Sequence, residues 1–248
     1  MQAVNTSRLW PPFSDPVMQS QQVFRLILKA MSEPGSLVSF DHHVSFDNSP
    51  QTGASNIAPA SFITALTLLD QDTRVWLSNI MGTPDFIDNL RFHCGCRLME
   101  SSLQADFVFM SIDEWSSFEG FKSGSDENPH YSATLIIQAA KEFTLSEVAS
   151  DINGRTGGDF FEESAERFGE NSETLILSGP GVPNKRWVQV PGLNTQHVRL
   201  LQKNHQLYPL GRDLLFTFGT SLMALPRSTK VDTYVQRTDP AQTVVESC

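Results

Sequence analysis

Apolar positions along this chain follow two different periods, and the alternation between them outlines most of its elements. Asp15-Pro16 is a helix start, a capping carboxylate followed by proline at the first helical position. Phe24, Ile27, Leu28 and Met31 then recur at i, i+3, i+4 and i+7, which predicts one buried face, and Pro34-Gly35 ends the helix. A second helix is predicted from near Pro59, burying Phe62, Ala65, Leu66 and Leu69. Thr83-Pro84-Asp85 caps a short third helix reaching about Arg91, and the stretch from Asn194 to Leu207 fits another.

Between these helices lie apolar runs too short to be helical. Val75-Trp76-Leu77 reads as a strand, and Ala105 to Met110, Ala133 to Ile137 and Glu173 to Leu177 read as central strands buried on both faces. Leu214 to Phe218, the turn Gly219-Thr220-Ser221 and Leu222 to Leu225 form a hairpin. Helices alternating with buried strands predict an α/β fold around a mixed central sheet, with the hairpin as its antiparallel part. Phe121 to Asn128 and Ile152 to Gly158 read as loops, and the tail 233–248 as frayed. With no internal repeat and no composition break, residues 1–248 are expected to form a single domain with its core at about 15–232.

Charge narrows the function classes. The chain carries 28 acidic against 18 basic residues, a net charge of −10, which disfavours nucleic acid as a partner and unaided binding of a nucleoside triphosphate. No apolar run is long enough to span a membrane, and Met1 to Trp10 lacks the pattern of a secretory signal, so a cytoplasmic protein is expected. Cys94 and Cys96 are too close to bridge and Cys248 is remote, so no disulfide framework is expected.

The local clusters that could carry chemistry are weak. His93-Cys94-Gly95-Cys96 offers soft ligands without the second pair that a structural zinc site needs, and reads as a turn with buried thiols. The side chains of His42-His43 diverge and read as a surface pair. Ser178-Gly179-Pro180-Gly181 follows a strand, where glycines at 179 and 181 could let a ligand approach the backbone, but Pro180 removes a donor and no helix follows, so a tight turn is favoured. Gly154-Arg155-Thr156-Gly157-Gly158 lacks the ending of a nucleotide-binding loop. Of the six lysines only Lys122 has a Gly/Ser context suited to a Schiff base, and it falls in a loop, so no pyridoxal phosphate or other cofactor, no metal and no catalytic residue is expected. The candidates for a ligand or interface contact are Arg212, Asp213 and Arg227, which flank the hairpin where strand ends can fix a bidentate donor, together with Gly179 and Gly181.

The stretch Pro209-Leu210-Gly211-Arg212-Asp213-Leu214-Leu215-Phe216-Thr217-Phe218-Gly219, continuing to Met223-Ala224-Leu225-Pro226-Arg227-Ser228-Thr229, resembles the C-terminal signature of the H subunit of the carbon–phosphorus lyase core complex. Arg212 occupies its variable site, and Ser228 stands where threonine is usual. Four more stretches agree in order: Phe24 to Gly35, Leu68 to Leu77, Ser132 to Ile137, and Leu177 to Val182. The resemblance implies a three-layer αβα fold like that of pyridoxal-phosphate-dependent transferases, without the cofactor. It also implies work with subunits of the G, I and J types in displacing adenine from ATP by an alkylphosphonate, as a structural or accessory subunit. The alternatives are a free homodimeric binding protein with a ligand cleft at the subunit interface, or a stand-alone metal or pyridoxal enzyme resting on the weak clusters above.

Overall fold

The computed structural model describes residues 9–41, 56–139, 144–146 and 173–233. The first helix, α1 (Pro16–Ser32), begins as expected, with the Asp15 carboxylate accepting from the Met18 amide at 3.0 Å. Strand β1 (Leu37–Ser39) follows, then α2 (Pro59–Leu68), β2 (Arg74–Leu77) and α3 (Pro84–Asn89). Thr83 caps α3 through the Phe86 amide, and the chain continues in one wider turn, Leu90–Cys94, that stops at Gly95. Next come β3 (Arg97–Leu98), β4 (Phe107–Ser111), β5 (Thr134–Gln138), β6 (Thr144–Ser146), β7 (Thr174–Gly179) and β8 (Val182–Gln189). Helix α4 (Thr195–Gln206) and strands β9 (Asp213–Phe218), β10 (Ser221–Leu225) and β11 (Lys230–Thr233) complete the described chain.

Seven strands form a mixed sheet in the order β1-β10-β9-β5-β4-β2-β3. Strands β3, β2, β4, β5 and β9 run parallel, and the β9–β10 hairpin turns the sheet antiparallel toward β1. The strands alternate with period two. Phe109, Ile136, Leu215, Leu222 and Ala224 face α1, α2 and α3 in one core. Val108, Met110, Leu135, Ile137, Leu214, Phe216, Met223 and Leu225 face the other, with Trp115 and α4. Both faces are covered, as a parallel sheet requires, so the protein is α/β with a mixed central sheet.

Two sequence expectations shift. The run from Glu173 to Leu177 lies not in the central sheet but in a second, antiparallel one, ordered β11-β7-β8-β6, whose Leu175, Leu177 and Val188 pack onto the second core. A short apolar run reports only that it is buried on some face: here Leu175 and Leu177 are buried while Ile176 between them is partly exposed. On α1 the buried strip is Val23, Ile27 and Ala30, whereas Phe24 and Leu28 are 44% and 50% exposed. The helix carries two apolar rows, and small Ala30 lets the row centred on Ile27 approach α2 and β10. Of the tail expected at 233–248, Thr233 instead ends β11 and residues 234–248 lie outside the described residues, as does the expected loop Ile152 to Gly158.

Candidate functional site

Three of the five candidate residues come together at the amino end of β9. Asp213 opens that strand, and Arg227, just past β10, donates to it from Nε (3.1 and 3.2 Å) and Nη2 (2.5 Å). Nη1 of Arg227 reaches the carbonyls of Pro129 (2.7 Å) and Pro209 (3.2 Å), and its backbone amide donates to Asp213 Oδ1. Arg212 is only 6% exposed, donates from Nη2 to the Phe121 carbonyl and lies over the Phe118 ring at 5.5 Å. Burial, then the neighbouring Arg227, pulls the Arg212 pKa down. The side chain of Asn204 on α4 pins the Arg212 backbone, donating to its carbonyl and accepting from its amide, both at 2.8 Å. Charged groups that the sequence offers for ligands are thus engaged with three separate parts of their own chain.

The glycine candidates lie elsewhere. Gly179 and Gly181 flank the β7–β8 turn, and a Cβ on Gly181 (φ +79°) would stand 2.0 Å from the Ser32 carbonyl at the end of α1. A Cβ on Gly179 would meet the Ser228 carbonyl at 3.2 Å, so this turn is pressed against α1 on one side and the segment after Arg227 on the other. The adjacent Arg186 locks the same corner, donating from Nη1 to the carbonyls of Glu33 (3.0 Å) and Pro34 (2.7 Å).

A second ionic cluster, with no motif in the sequence, ties the amino end of β4. Asp106 accepts from Nε and Nη2 of Arg74 (2.9 and 2.8 Å) and from Nζ of Lys122 (2.6 Å). Burial pushes its pKa up, but the bonds from Arg74 and Lys122 outweigh that and hold the carboxyl at about 2. Lys122, the one lysine in a suitable context for a Schiff base, is therefore ion-paired, and it also lies over Tyr131 at 5.4 Å.

The remaining clusters are dispersed by the fold. His93 Nε2 lies 3.0 Å from the Trp10 carbonyl, and Cys94 Sγ points to the Ala65 carbonyl at 3.6 Å. Burial pushes the Cys94 and Cys96 thiols up to about 12 and about 11. No group of three His, Cys, Asp or Glu among the described residues could hold a metal ion. His42-His43 and the segment 154–158 lie outside the described residues.

The carboxyl ends of the parallel strands offer a site that the sequence did not announce. From β2 the chain crosses through α3 to β3 on one side, then returns past β2 to β4 on the other. Connections that diverge in this way leave a crevice at the switch point, where open α/β sheets bind ligands. Here that crevice is a cavity of ≈ 440 Å³ between the segments after β2 and β4. Trp76, Met110 and Phe121 give it an apolar floor. Ser78, Asn79, Ser116 and Ser117 are on its walls with Glu114 and Glu119, and none of its lining residues is basic. Glu114 Oε1 accepts from the Ile80 amide at 3.1 Å, while its buried Oε2 has no partner among the described residues.

The fold and these sites define an α/β protein whose strand starts are clamped by ion pairs and whose switch point opens a crevice. The family described as bacterial phosphonate metabolism protein (PhnH) matches residues 11–232, and the chain belongs to it. It is similar to the alpha-D-ribose 1-methylphosphonate 5-triphosphate synthase subunit PhnH of Rhizobium meliloti (strain 1021), with 28% identity over 224 residues, covering 89% of this chain and 94% of the relative. It also resembles HtxG of Stutzerimonas stutzeri, named for C-P lyase, at 27% identity over 109 residues, 44% of this chain and 42% of that protein. No helix among the described residues is long and apolar enough to cross a membrane.

Proposed function

We propose that this chain is a structural or accessory subunit of a ribose 1-methylphosphonate 5-triphosphate synthase, working with G-, I- and J-type subunits in phosphonate catabolism in the cytoplasm. The observation that carries this reading is the family match over residues 11–232, together with a relative of that name aligned along nearly its whole length. The reaction displaces adenine from ATP by an alkylphosphonate, so its site must neutralise two anions and protonate a leaving base. In this chain Arg212 and Arg227 are already bound to Phe121, Pro129, Pro209 and Asp213, which suits a role in holding the fold while partners supply the positive charge. The likeness to pyridoxal-phosphate-dependent transferases, without the cofactor, belongs to the same reading and is supported by the mixed seven-stranded sheet.

A surface for a partner subunit is also at hand. Val17, Phe24 and Leu28 recur at i, i+7 and i+11 on α1 and are 77%, 44% and 50% exposed, an apolar row on the outside of the helix. Within the complex this row packs against another subunit. The homodimer, which would use it between two copies, is the second reading.

The test is co-expression of the tagged chain with G-, I- and J-type partners, affinity purification and sizing. Stoichiometric co-elution, with loss of ATP-dependent adenine release when this chain is omitted, is the expected result. Elution as a free dimer, with adenine release unaffected by its omission, would overturn the subunit reading in favour of the homodimer.

A further inference from the structure

We infer that the outer face of α1 docks an amphipathic helix of a partner subunit, one whose apolar stripe is bordered by Asp and Glu. The inference rests on the subunit reading above and names the chemistry of the partner. Val17, Phe24 and Leu28 form the apolar row, and Met18, 51% exposed, widens it at its amino end. Arg25 and Lys29 follow Phe24 and Leu28 by one residue each and are exposed. They make a second ridge of i, i+4 spacing, about 100° around the helix from the first. The other flank of the apolar row turns into the core through Ile27, Val23 and Ala30. A helix lying along the apolar ridge therefore has the body of this protein on one side and the two cations on the other.

Charge selects the occupant. The segment Pro16–Ser32 carries Arg25 and Lys29 and no Asp or Glu, within a chain of net charge −10. Neither cation is in an ion pair among the described residues. Asp15, the acid at the helix start, is engaged in capping the Met18 amide. Like charges at i, i+4 on one helix repel, and Asp or Glu at matching spacing on a facing helix turns that repulsion into attraction and fixes the register. A second copy of this chain offers no such acids along α1. Paired parallel, Arg25 would meet Arg25 again, and paired antiparallel about Val23 it would meet neutral Gln21. An anionic membrane would attract the two cations but would be repelled by the chain's overall negative charge. A helix with an acidic border satisfies both ridges at once.

The test is co-expression of the tagged full chain with G-, I- and J-type subunits, with the photoreactive p-benzoylphenylalanine in place of Phe24. Irradiation of the purified complex should cross-link the chain to one of those subunits, within a helix that carries Asp or Glu at i, i+3 or i, i+4 beside its apolar positions. Without the photoprobe, Arg25→Glu combined with Lys29→Glu turns attraction into repulsion and should lower recovery in the complex at least about tenfold. Arg25→Lys with Lys29→Arg keeps both charges and should co-purify like the parent. An unchanged melting temperature in each variant separates lost docking from lost folding. If the charge-reversed chain enters the complex as readily as the parent, the inference falls and the subunit reading stands. If the parent itself does not enter, both fall. An assembled complex that gives no cross-link, or one to a segment without acids, overturns the inference too. So does a cross-link to a second copy of this chain, which would make the face a homodimer contact. Flotation of the parent with phosphatidylcholine–phosphatidylglycerol vesicles, abolished by the charge reversal, would overturn it in favour of a membrane surface.

Discussion

Arg227 and Asp213, fourteen positions apart at the two ends of the β9–β10 hairpin, form a multidentate pair in which the carboxylate receives both Nε and Nη2 of the guanidinium and the Arg227 backbone amide. Both side chains are mostly buried, at 15% and 19% exposure. The pair closes the open end of the hairpin and, through the Pro129 and Pro209 carbonyls, ties it to two neighbouring loops. Arg227→Lys keeps the charge but loses the fork, and Arg227→Ala leaves Asp213 buried without its ion partner. Urea denaturation should find the alanine variant destabilised by about 3 kcal/mol. The lysine variant should recover less than half of that loss. Wild-type stability in Arg227→Ala would mean the arginine is held in reserve for a ligand or partner.

The Asp106 cluster predicts a specific acid response. The folded carboxyl titrates near 2, below its ordinary value of 3.8, so its contribution is complete above about pH 5 and is lost as the pH falls toward 2. Arg74 is 41% exposed and solvent screens its share, so the effect is on the order of 1 kcal/mol. Asp106→Asn should remove this part of the acid dependence and make the fall of the unfolding midpoint between pH 5 and pH 3 shallower, the remainder coming from carboxylates such as Asp70, which its bond from Thr73 also holds below the ordinary value.

Two histidines act in a higher window. His197 Nδ1 accepts from the Asn194 amide at 3.1 Å, so Nε2 carries the proton toward the Trp115 carbonyl at 2.7 Å, and the ring stacks on Trp115 at 5.0 Å. Burial depresses the pKa of both His197 and His93, against the smaller opposing pull of their carbonyl partners. A depressed histidine stabilises the fold above its unfolded value of about 6.5, and that stability declines as the pH falls through it. Melting temperature should therefore drop between pH 7 and pH 5, and His197→Gln should reduce the slope.

Gly181 and Gly211 mark places where the backbone leaves no room for a side chain. A Cβ on Gly181 would overlap the Ser32 carbonyl, and one on Gly211 would stand 2.6 Å from the Asn204 carbonyl. Gly181→Ala also forces an L-residue to φ +79°. Each substitution should destabilise by about 2 kcal/mol or more, measured by urea midpoint, and Gly211→Ala should additionally loosen the Asn204 clasp on Arg212.

Much of this architecture was legible from spacing, and the exceptions have definite causes. Caps at Asp15, Thr83 and Asn194 are local chemistry, so the helix starts were placed within a residue or two. The hairpin turn was equally local, although Ser221, read as part of the turn, pairs with Phe218 and already belongs to β10. Period alone could not choose between the two apolar rows of α1, because the choice depends on which row meets α2 and β10. Nor could it assign the strand at 174–179 to the right sheet, since burial is a tertiary outcome. Arg212, Asp213 and Arg227 lie together in space as their places around the hairpin suggest, but their partners Phe121, Pro129 and Asn204 come from distant segments. The crevice had no motif at all, because its serines and glutamates come from the segments after β2 and β4 and from Ser102 ahead of β4, which only the strand order brings together.

The outer row of α1 offers the sharpest separation of stability from assembly. Phe24 and Leu28 are about half exposed and contribute little burial in the isolated chain, whereas Ile27 on the same turn is 4% exposed and sits in the core. Phe24→Ser and Leu28→Ser should leave the unfolding midpoint within about 0.5 kcal/mol of the parent, as surface changes do. Ile27→Ala on the neighbouring, buried row should lower it by about 2–4 kcal/mol through the cavity it leaves. If the exposed row is the contact for another subunit, the double serine variant will be folded yet fail to co-purify with its partners, because a row of this kind supplies the apolar centre of an interface. If it joins two copies of this chain instead, the same variant will run as a monomer on sizing and still enter the complex. Unchanged behaviour in both assays would remove α1 from the interface.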